Sequence, residues 1–366
     1  AGYSKEWSAA IEAISSTGGQ ILPPIMGAAA FIMAQLIGVN YLTIAKAALV
    51  PAVLYYLSCF LSIHLVSKRD QICGEPDKPT IRVGEYLVIL IPLGIFMFYL
   101  LRGYTVMMGA FWATIGAVVT YAVWFLVSEK SVGKCAGAMG KVCFTTAIKG
   151  TNSIVEMCGI LAGSQITISL VSLTGFGVKL SDLIVSLGEG NLFLCLICSM
   201  LVCIVLGMGL PSTAAYVLGA SVLAPALIAL GINPLPAHLF VMYYACLSAI
   251  TPPVCVAVFM ASGLAKAAWV RVALISCMVS LPAFVVPFTF IYNPALMLDG
   301  SVFQVAFGIA TALAGVCLID MCVTGYWKRP IGLPMRLLLL ACGILLLIPD
   351  VWISLVGLAA GGVSFF

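Results

Sequence analysis

The groups best suited to chemistry in this sequence lie at three interruptions of its apolar segments. The interruptions share glycine, proline and hydroxyl residues: Ser16, Thr17, Gly18, Gly19, Pro23 and Pro24 in the first, Gly207, Gly209, Pro211, Ser212 and Thr213 in the second, and Ser248, Thr251, Pro252 and Pro253 in the third. A proline pair removes two N–H donors, so carbonyl groups of the preceding turn lose their intrahelical partners. Such carbonyls, with Ser and Thr hydroxyls, suit a small hard cation such as Na⁺. The N–H groups that open a new half-helix suit a carboxylate.

The first and third interruptions also resemble each other. Residues 21–31 (ILPPIMGAAAF) align with residues 250–260 (ITPPVCVAVFM) and are identical at four positions, including both prolines. Because four apolar crossings separate the two copies, they are expected to traverse a membrane in opposite directions. Paired interrupted segments in an inverted repeat indicate an ion and substrate site near the midplane of a secondary transporter. Thr251 is the side chain predicted to bind Na⁺, with neighbouring backbone carbonyls, and Ser212 or Thr213 is expected to cap the half-helix after the second interruption.

The elements that position these residues follow from composition. Hydrophobic residues make up 63% of the chain and charged residues 8%, against roughly 45–50% and about 25% in soluble domains. The apolar runs reach about 20 residues, enough to cross the hydrocarbon core of a bilayer. They lack the alternation of a barrel strand, and backbone groups in lipid must be satisfied within the segment. The sequence therefore predicts an all-α polytopic membrane protein of the inverted-repeat, elevator type, with broken helices and a re-entrant hairpin.

The predicted organisation has five parts. Residues 1–36 form the first broken helix, 37–152 scaffold helices ending in an interfacial helix, 153–190 a connecting span and an outer loop, 191–262 the re-entrant hairpin and second broken helix, and 263–366 the C-terminal helices. The path after Pro349 stays open. Glu156, Asp320 and Asp350 lie near predicted helix ends, where solvation or capping is expected. Glu12 lies within a few turns of the first interruption, and either a transport role or a position at the cytoplasmic interface fits it.

The basic residues orient this map. Lysine and arginine favour the cytoplasmic side of short loops. Only three of the 17 lysines and arginines (Lys46, Arg102 and Lys179) fall outside if residues 191–231 enter and leave on the same face. If that segment crosses once, Lys266, Arg271 and the later basic residues move outside as well. The charges therefore favour a hairpin, with residues 175–190 and 231–236 outside.

Several classes of function are disfavoured by the residues present. The two histidines, His64 and His238, lie far apart, and the 14 cysteines are scattered through apolar runs, which argues against a transition-metal centre. A membrane-embedded enzyme would need a nucleophile with a base or a ligand cluster. Nucleic-acid binding would need a basic helix with interleaved aromatics. An ion channel, or another multi-pass carrier without a binding protein, remains the alternative to a secondary transporter.

The motifs resemble those of one known family. Residues 16–31 (STGGQILPPIMGAAAF) closely resemble the large-subunit signature of tripartite ATP-independent periplasmic (TRAP) transporters, and the resemblance is closest to fused permeases that work with a TAXI-type binding protein. Residues 207–216 (GMGLPSTAAY) and 250–254 (ITPPV) resemble the second-half signatures. The likeness covers roughly residues 4–290 and extends more loosely to the end.

The resemblance implies a bacterial or archaeal inner-membrane Na⁺ symporter with an elevator mechanism and no organic cofactor. Its partners would be the lipid bilayer, a periplasmic TAXI-type binding protein that delivers an organic acid, and a small membrane subunit or its fused equivalent. The family has a first hairpin just before the first broken helix. That hairpin would lie upstream of Ala1, so the chain is expected to be N-terminally incomplete.

Overall fold

A computed structural model describes residues 2–24, 26–72, 83–129, 132–188 and 191–363. Residues 73–82, within the range 37–152 predicted as scaffold, lie outside the described residues. The chain divides into two compact units, residues 1–75 with 166–366, and residues 76–165. Regular structure in the described ranges is helical, apart from one isolated bridge between Tyr326 and Pro330.

The first broken helix and the first long span open the chain. Helix α1 (Lys5–Gly18) and helix α2 (Ala28–Ile37) flank the first interruption, and helix α3 (Tyr41–Arg69) follows. Ser4 caps α1 by accepting a hydrogen bond from the backbone N–H of Trp7 at 3.3 Å. Asn40 caps α3 in the same way through the N–H of Leu42 at 3.0 Å. Short polar side chains therefore fix where these two helices begin.

The second unit contains a helical hairpin and most of a long helix. Helices α4 (Val83–Leu101) and α5 (Val106–Glu129) pack against each other and are joined by a turn at residues 102–103. Helix α6 (Val132–Leu173) runs unbroken for 42 residues. The predicted division into an interfacial helix up to residue 152 and a separate span after it is therefore wrong. The region of Gly150 and Asn152 contains no proline, and a single glycine inside a helix is a modest penalty rather than a stop.

The predicted hairpin is formed by two antiparallel helices. Helix α7 (Phe176–Leu187) occupies most of the segment that was expected to be an outer loop, so the expectation of a loop is wrong, and its position outside stays a prediction. Helices α8 (Leu192–Gly207) and α9 (Ser212–Ala229) then meet at the second interruption and pack against each other. Leu192 and Leu230, at the two open ends of this hairpin, line a single cavity of about 430 Å³. The hairpin therefore begins and ends at the same place.

The second broken helix lies at the centre of the first unit. Helix α10 (Pro234–Leu247) leads into a 3₁₀ turn (Ser248–Ile250), and helix α11 (Val256–Ala265) resumes after residues 251–255. All twelve residues from Pro236 to Leu247 are buried. A helix that is apolar and buried on every side is a core element, so α10 is fixed by its neighbours around its whole circumference.

The remaining helices form the C-terminal part. Helices α12 (Trp269–Val279) and α13 (Leu281–Tyr292) make one interrupted span, a 3₁₀ turn (Pro294–Met297) follows, and helices α14 (Val302–Thr324), α15 (Leu333–Leu347) and α16 (Val351–Val363) complete the chain. Asp350 accepts hydrogen bonds from the N–H groups of Trp352 and Ile353 at 2.9 and 3.0 Å. Its predicted capping role is confirmed, and the path after Pro349 is a turn into α16.

Five helices in the described ranges are long and apolar enough to cross a membrane. They are Tyr41–Arg69, Val106–Val127, Ser212–Ala229, Trp269–Tyr292 and Val302–Thr324. Shorter apolar helices include α2 of the first broken helix and both arms, α10 and α11, of the second. The prediction of an all-α polytopic membrane protein is confirmed.

Candidate functional site

The second and third interruptions meet in the folded chain. Gly207, the last residue of α8, lies against Ser248: a β-carbon built on this glycine would come within 2.8 Å of the Ser248 Cβ. Gly209 lies two residues further at a φ of +74°, with Val254 Cγ1 at 3.5 Å from where its own β-carbon would stand. The hairpin tip therefore touches the break of the second broken helix on both sides of the proline pair. Only a residue without a side chain permits the first approach.

Hydroxyl groups mark the third interruption. Thr251 donates its hydroxyl hydrogen to the Leu247 carbonyl at 2.7 Å, and Ser248 donates to the Ala245 carbonyl at 2.8 Å. A hydroxyl that donates its hydrogen still has two lone pairs on the oxygen. The half-buried Thr251 oxygen thus remains able to bind a cation, beside Pro252 and Pro253, which have no N–H to offer.

The half-helices that begin at the interruptions lack side-chain caps. Pro211 occupies the N-cap position of α9, whose first residue is Ser212, and no side chain caps that end. The prediction that Ser212 or Thr213 is the N-cap is wrong, because the preceding proline already has the extended conformation that an N-cap residue needs. Helices α2 and α11 begin without side-chain caps as well. Their first N–H groups and the positive ends of their dipoles are therefore free to face an anion.

Two tyrosines of α3 hold the first interruption. Tyr55 donates to the Ile14 carbonyl at 2.8 Å, and Tyr56 donates to the Ser15 carbonyl at 2.9 Å. Gly18 lies under both rings, and a β-carbon there would come within 2.9 Å of ring atoms of each. The glycine is required by this close approach. The two hydroxyls therefore tie the last two turns of α1 to the middle of α3.

A third tyrosine holds the proline pair. The Tyr41 hydroxyl donates to the Pro24 carbonyl at 2.7 Å and lies 3.4 Å from the backbone nitrogen of Met26. The Pro23–Pro24 and Pro252–Pro253 peptide bonds are both cis. Gly19 and both prolines of the first pair lie in the connection between α1 and α2. Helix α3 holds this region with its first residue, Tyr41, and with the tyrosines in its middle.

The broken helices pack against each other. Helix α1 contacts α11, α12 and the 3₁₀ turn of the third interruption, and α2 contacts α9 and α10. All three predicted interruptions therefore belong to one packed group of helices. Within the first, Thr17 is buried and donates to the Ala13 carbonyl at 2.8 Å, whereas Ser16 is exposed and donates to a carboxylate oxygen of Glu12 at 3.2 Å.

The family follows from comparison with known proteins. Residues 1–305 match the family model described as the DctM component of the tripartite ATP-independent periplasmic transporter. The chain belongs to this family. A comparison with curated proteins gave no match. A DctM component is the large, multi-pass permease of a binding-protein-dependent secondary transporter of the inner membrane, and such a system includes a periplasmic binding protein and a small membrane subunit.

Sequence reasoning missed the residues that support the DctM site from outside the motifs. Tyr41, Tyr55 and Tyr56 lie in an apolar span and carry no local signal of a role, because their partners are 17 to 41 residues away in the chain. The buried pair of Tyr216 and His238, joined at 2.9 Å between α9 and α10, was likewise not expected. Asp320 was expected near solvent, and that prediction is wrong: its side chain is fully buried. The sequence signal that could have singled out Asp320 is an acidic residue inside an apolar span, four residues before its end.

Proposed function

We propose that this DctM permease is a Na⁺ symporter that imports an organic carboxylate by an elevator movement. Na⁺ would bind at the third interruption, with the Thr251 hydroxyl and neighbouring carbonyls as ligands. The carboxylate would bind at the hairpin tip through N–H groups at the start of α9. The substrate would arrive on a TAXI-type binding protein.

The observation that supports this proposal most directly is the contact between the tip and the third interruption. Gly207 and Ser248 are in van der Waals contact, so a cation ligated near Thr251 and an anion bound at the start of α9 would be close neighbours. Opposite charges a few ångströms apart stabilise each other strongly where water is excluded. Such mutual stabilisation is a physical basis for coupled binding, because each ligand raises the affinity of the other by the same factor.

An elevator movement fits the packing of the two broken helices and the hairpin. Both broken helices and the hairpin pack on one another, so they can move as a single body carrying the site. The alternative of an open channel is disfavoured by membership in a family of binding-protein-dependent carriers.

Uptake into proteoliposomes tests this proposal. The full-length permease with its small subunit would be reconstituted, and radiolabelled carboxylates would be offered on the purified binding protein. We expect saturable uptake driven by an inward Na⁺ gradient and lost when choline replaces Na⁺. Uptake that persists unchanged in choline would exclude Na⁺ coupling, and flux that never saturates would indicate a channel.

A further inference from the structure

Asp320 is fully buried in α14, outside the residues that match the family model. Two serines of α3 donate to the same carboxyl oxygen: Ser58 Oγ lies 3.0 Å and Ser62 Oγ 2.7 Å from Asp320 Oδ1. Residues four apart lie on one face of a helix, so both hydroxyls are directed to α14 by the register of α3. This cluster ties the first long span to the C-terminal helices.

The second carboxyl oxygen has no partner. Asp320 Oδ2 is buried and makes no hydrogen bond within the described part of the chain. Leu65, Leu318 and Met321 form an apolar cluster at the adjacent turns. A charged oxygen buried without a donor or a counter-ion is among the costliest arrangements in a protein interior. The geometry thus suits a neutral acid better than a carboxylate.

The groups around the carboxyl supply no positive charge. The titratable neighbours are the thiols of Cys59 on α3 and Cys317 on α14. The arginines at this end of α14 are engaged elsewhere: Arg69 donates to the Thr324 carbonyl at 3.0 Å, and Arg336 to the Cys322 and Val323 carbonyls at 2.6 and 3.0 Å. Among the described residues, no ionisable side chain of α12, α13, α15 or α16 interacts with the carboxyl.

We propose that Asp320, Ser58 and Ser62 form a proton-binding site between α3 and α14. The proton binds Oδ2, and the two serine hydroxyls donate to Oδ1, which acts as the carbonyl oxygen of the neutral acid. Release transfers this proton to water and leaves a carboxylate whose Oδ2 has no donor, so the α3–α14 contact weakens. A metal cation would need several oxygen ligands, and both hydroxyls that reach this carboxyl are at Oδ1.

The proton exchanges at the end of α14 that the basic residues assign to the cytoplasm. Asp320 lies one helical turn before Thr324, whose hydroxyl donates to the backbone carbonyl of Asp320 at 2.8 Å. Gly325 then ends the helix. The packing of α14 on α3 therefore responds to cytoplasmic pH, and this response is independent of the Na⁺ site.

Labelling with an apolar carbodiimide tests the protonation state. A carboxylic acid adds through its oxygen to the carbodiimide carbon, its proton moves to a carbodiimide nitrogen, and rearrangement gives a stable N-acylurea. In the full-length permease in lipid vesicles, we expect mass spectrometry to find the adduct on Asp320, with a yield that falls as pH rises and is the same in Na⁺ and in choline. Protection by Na⁺ would overturn the proposal in favour of a cation site. A yield independent of pH, or no adduct on Asp320, would also overturn it.

Thermal unfolding of variants gives a second, activity-independent readout. Asp320→Asn has the shape of the neutral acid and keeps an acceptor for both serines, so we expect its midpoint at neutral pH to equal that of the unsubstituted permease. At alkaline pH the unsubstituted permease should unfold several degrees earlier than at neutral pH, and Asp320→Asn should not share this loss. Asp350→Asn, at an exposed cap, serves as the control and should keep the loss. An Asp320→Asn protein that is unfolded or strongly destabilised at neutral pH would show that the charge is needed and would refute the site.

Discussion

At the residue scale, hydroxyl groups carry most of the specific chemistry. Thr251 keeps an acceptor oxygen at the third interruption, and Tyr41 donates a hydrogen bond to the Pro24 carbonyl in the connection between α1 and α2. The role of Thr251 is predicted from its hydroxyl beside the proline pair. The role of Tyr41 is not, because its partner lies 17 residues away in the chain.

Replacing Thr251 with valine should weaken Na⁺ binding without disturbing packing. Valine keeps the volume and removes the oxygen, so the Na⁺ concentration for half-maximal uptake should rise about 10-fold, as expected for a loss of about 1.4 kcal/mol. Thr311→Val is the matched control, because Thr311 is buried and makes the same kind of bond, to the Gly308 carbonyl, in α14. An unchanged Na⁺ activation curve for Thr251→Val would show that Thr251 is not a ligand.

Replacing Tyr41 with phenylalanine should destabilise the first interruption. The ring stays and the Pro24 carbonyl loses its donor, which costs about 1–3 kcal/mol for a buried polar group. Thermal unfolding of the detergent-solubilised permease would measure the loss. Tyr292→Phe, at a surface tyrosine that is 39% exposed, should leave the midpoint unchanged. Equal midpoints for both variants would contradict the role assigned to Tyr41.

At the element scale, the hairpin depends on its turn and the C-terminal helices depend on their ends. Gly209 turns the chain between α8 and α9 with a positive φ. Arg69 and Arg336 bind the last carbonyls of α14, which a helix cannot satisfy itself. Both devices fix where a helix stops, one with a glycine and the other with guanidinium groups.

Placing valine at Gly209 should abolish organic-acid uptake. The backbone there has a φ of +74°, which a β-branched residue adopts only at a cost, and the added methyl groups would obstruct the approach of a ligand to the tip. Gly38→Val is the matched control: its φ is +68° and nothing lies within 4 Å of its β-carbon position. We expect Gly38→Val to carry the same backbone strain and still transport. If both variants lose uptake to the same extent, strain rather than the site explains the loss.

Removing Arg336 should loosen α15 from α14. Arg336→Ala leaves the Cys322 and Val323 carbonyls without donors, and a hydrogen bond from a charged group contributes roughly 1.5–3 kcal/mol. Arg336→Lys should recover only part of this, since an ammonium group cannot reproduce the planar fork. Arg329→Ala, at an exposed arginine in the connection between α14 and α15, serves as the control. Urea or thermal unfolding in detergent would check that stability falls from the parent to Arg336→Lys to Arg336→Ala. A lysine variant as stable as the parent would contradict this prediction.

At the scale of the whole molecule, the predicted topology depends on whether the α8–α9 hairpin returns to the face from which it enters. Both of its open ends line one cavity together with Lys46, Asn233 and Asp299. Lys46 belongs to the small group of basic residues assigned to the outside. If Lys46 lies outside, as the basic residues predict, both ends of residues 191–231 lie at the outer face as well.

Cysteine labelling in a cysteine-depleted, full-length permease should place both ends of the hairpin outside. Ser186 and Asn233 are exposed positions that flank it, and each would be replaced by cysteine. Gly188 is unsuitable, because a β-carbon there would collide with Cys195. A membrane-impermeant maleimide added outside should label both positions in intact cells. Labelling from opposite faces would mean that residues 191–231 cross once and would exclude the re-entrant hairpin.

The sequence by itself determined the class, the interruptions and the family. Composition left no soluble alternative, and proline pairs and Gly-Pro-Ser-Thr runs break helices wherever they lie, because their effect is local to the backbone. The continuity of the long α6 does not follow from the sequence, because its lysines mark polarity and do not stop a helix.

Only the tertiary structure decided which groups meet. Gly207 and Ser248 are 41 positions apart, and Ser58 and Asp320 are 262 apart, so no local pattern records either contact. Separation along the chain is also the reason why the sequence did not reveal the tyrosines that support the first interruption or the burial of Asp320. Burial depends on what packs against a residue. In a membrane protein, a helix face that packs against protein and one that faces lipid are both apolar, so the sequence does not distinguish them.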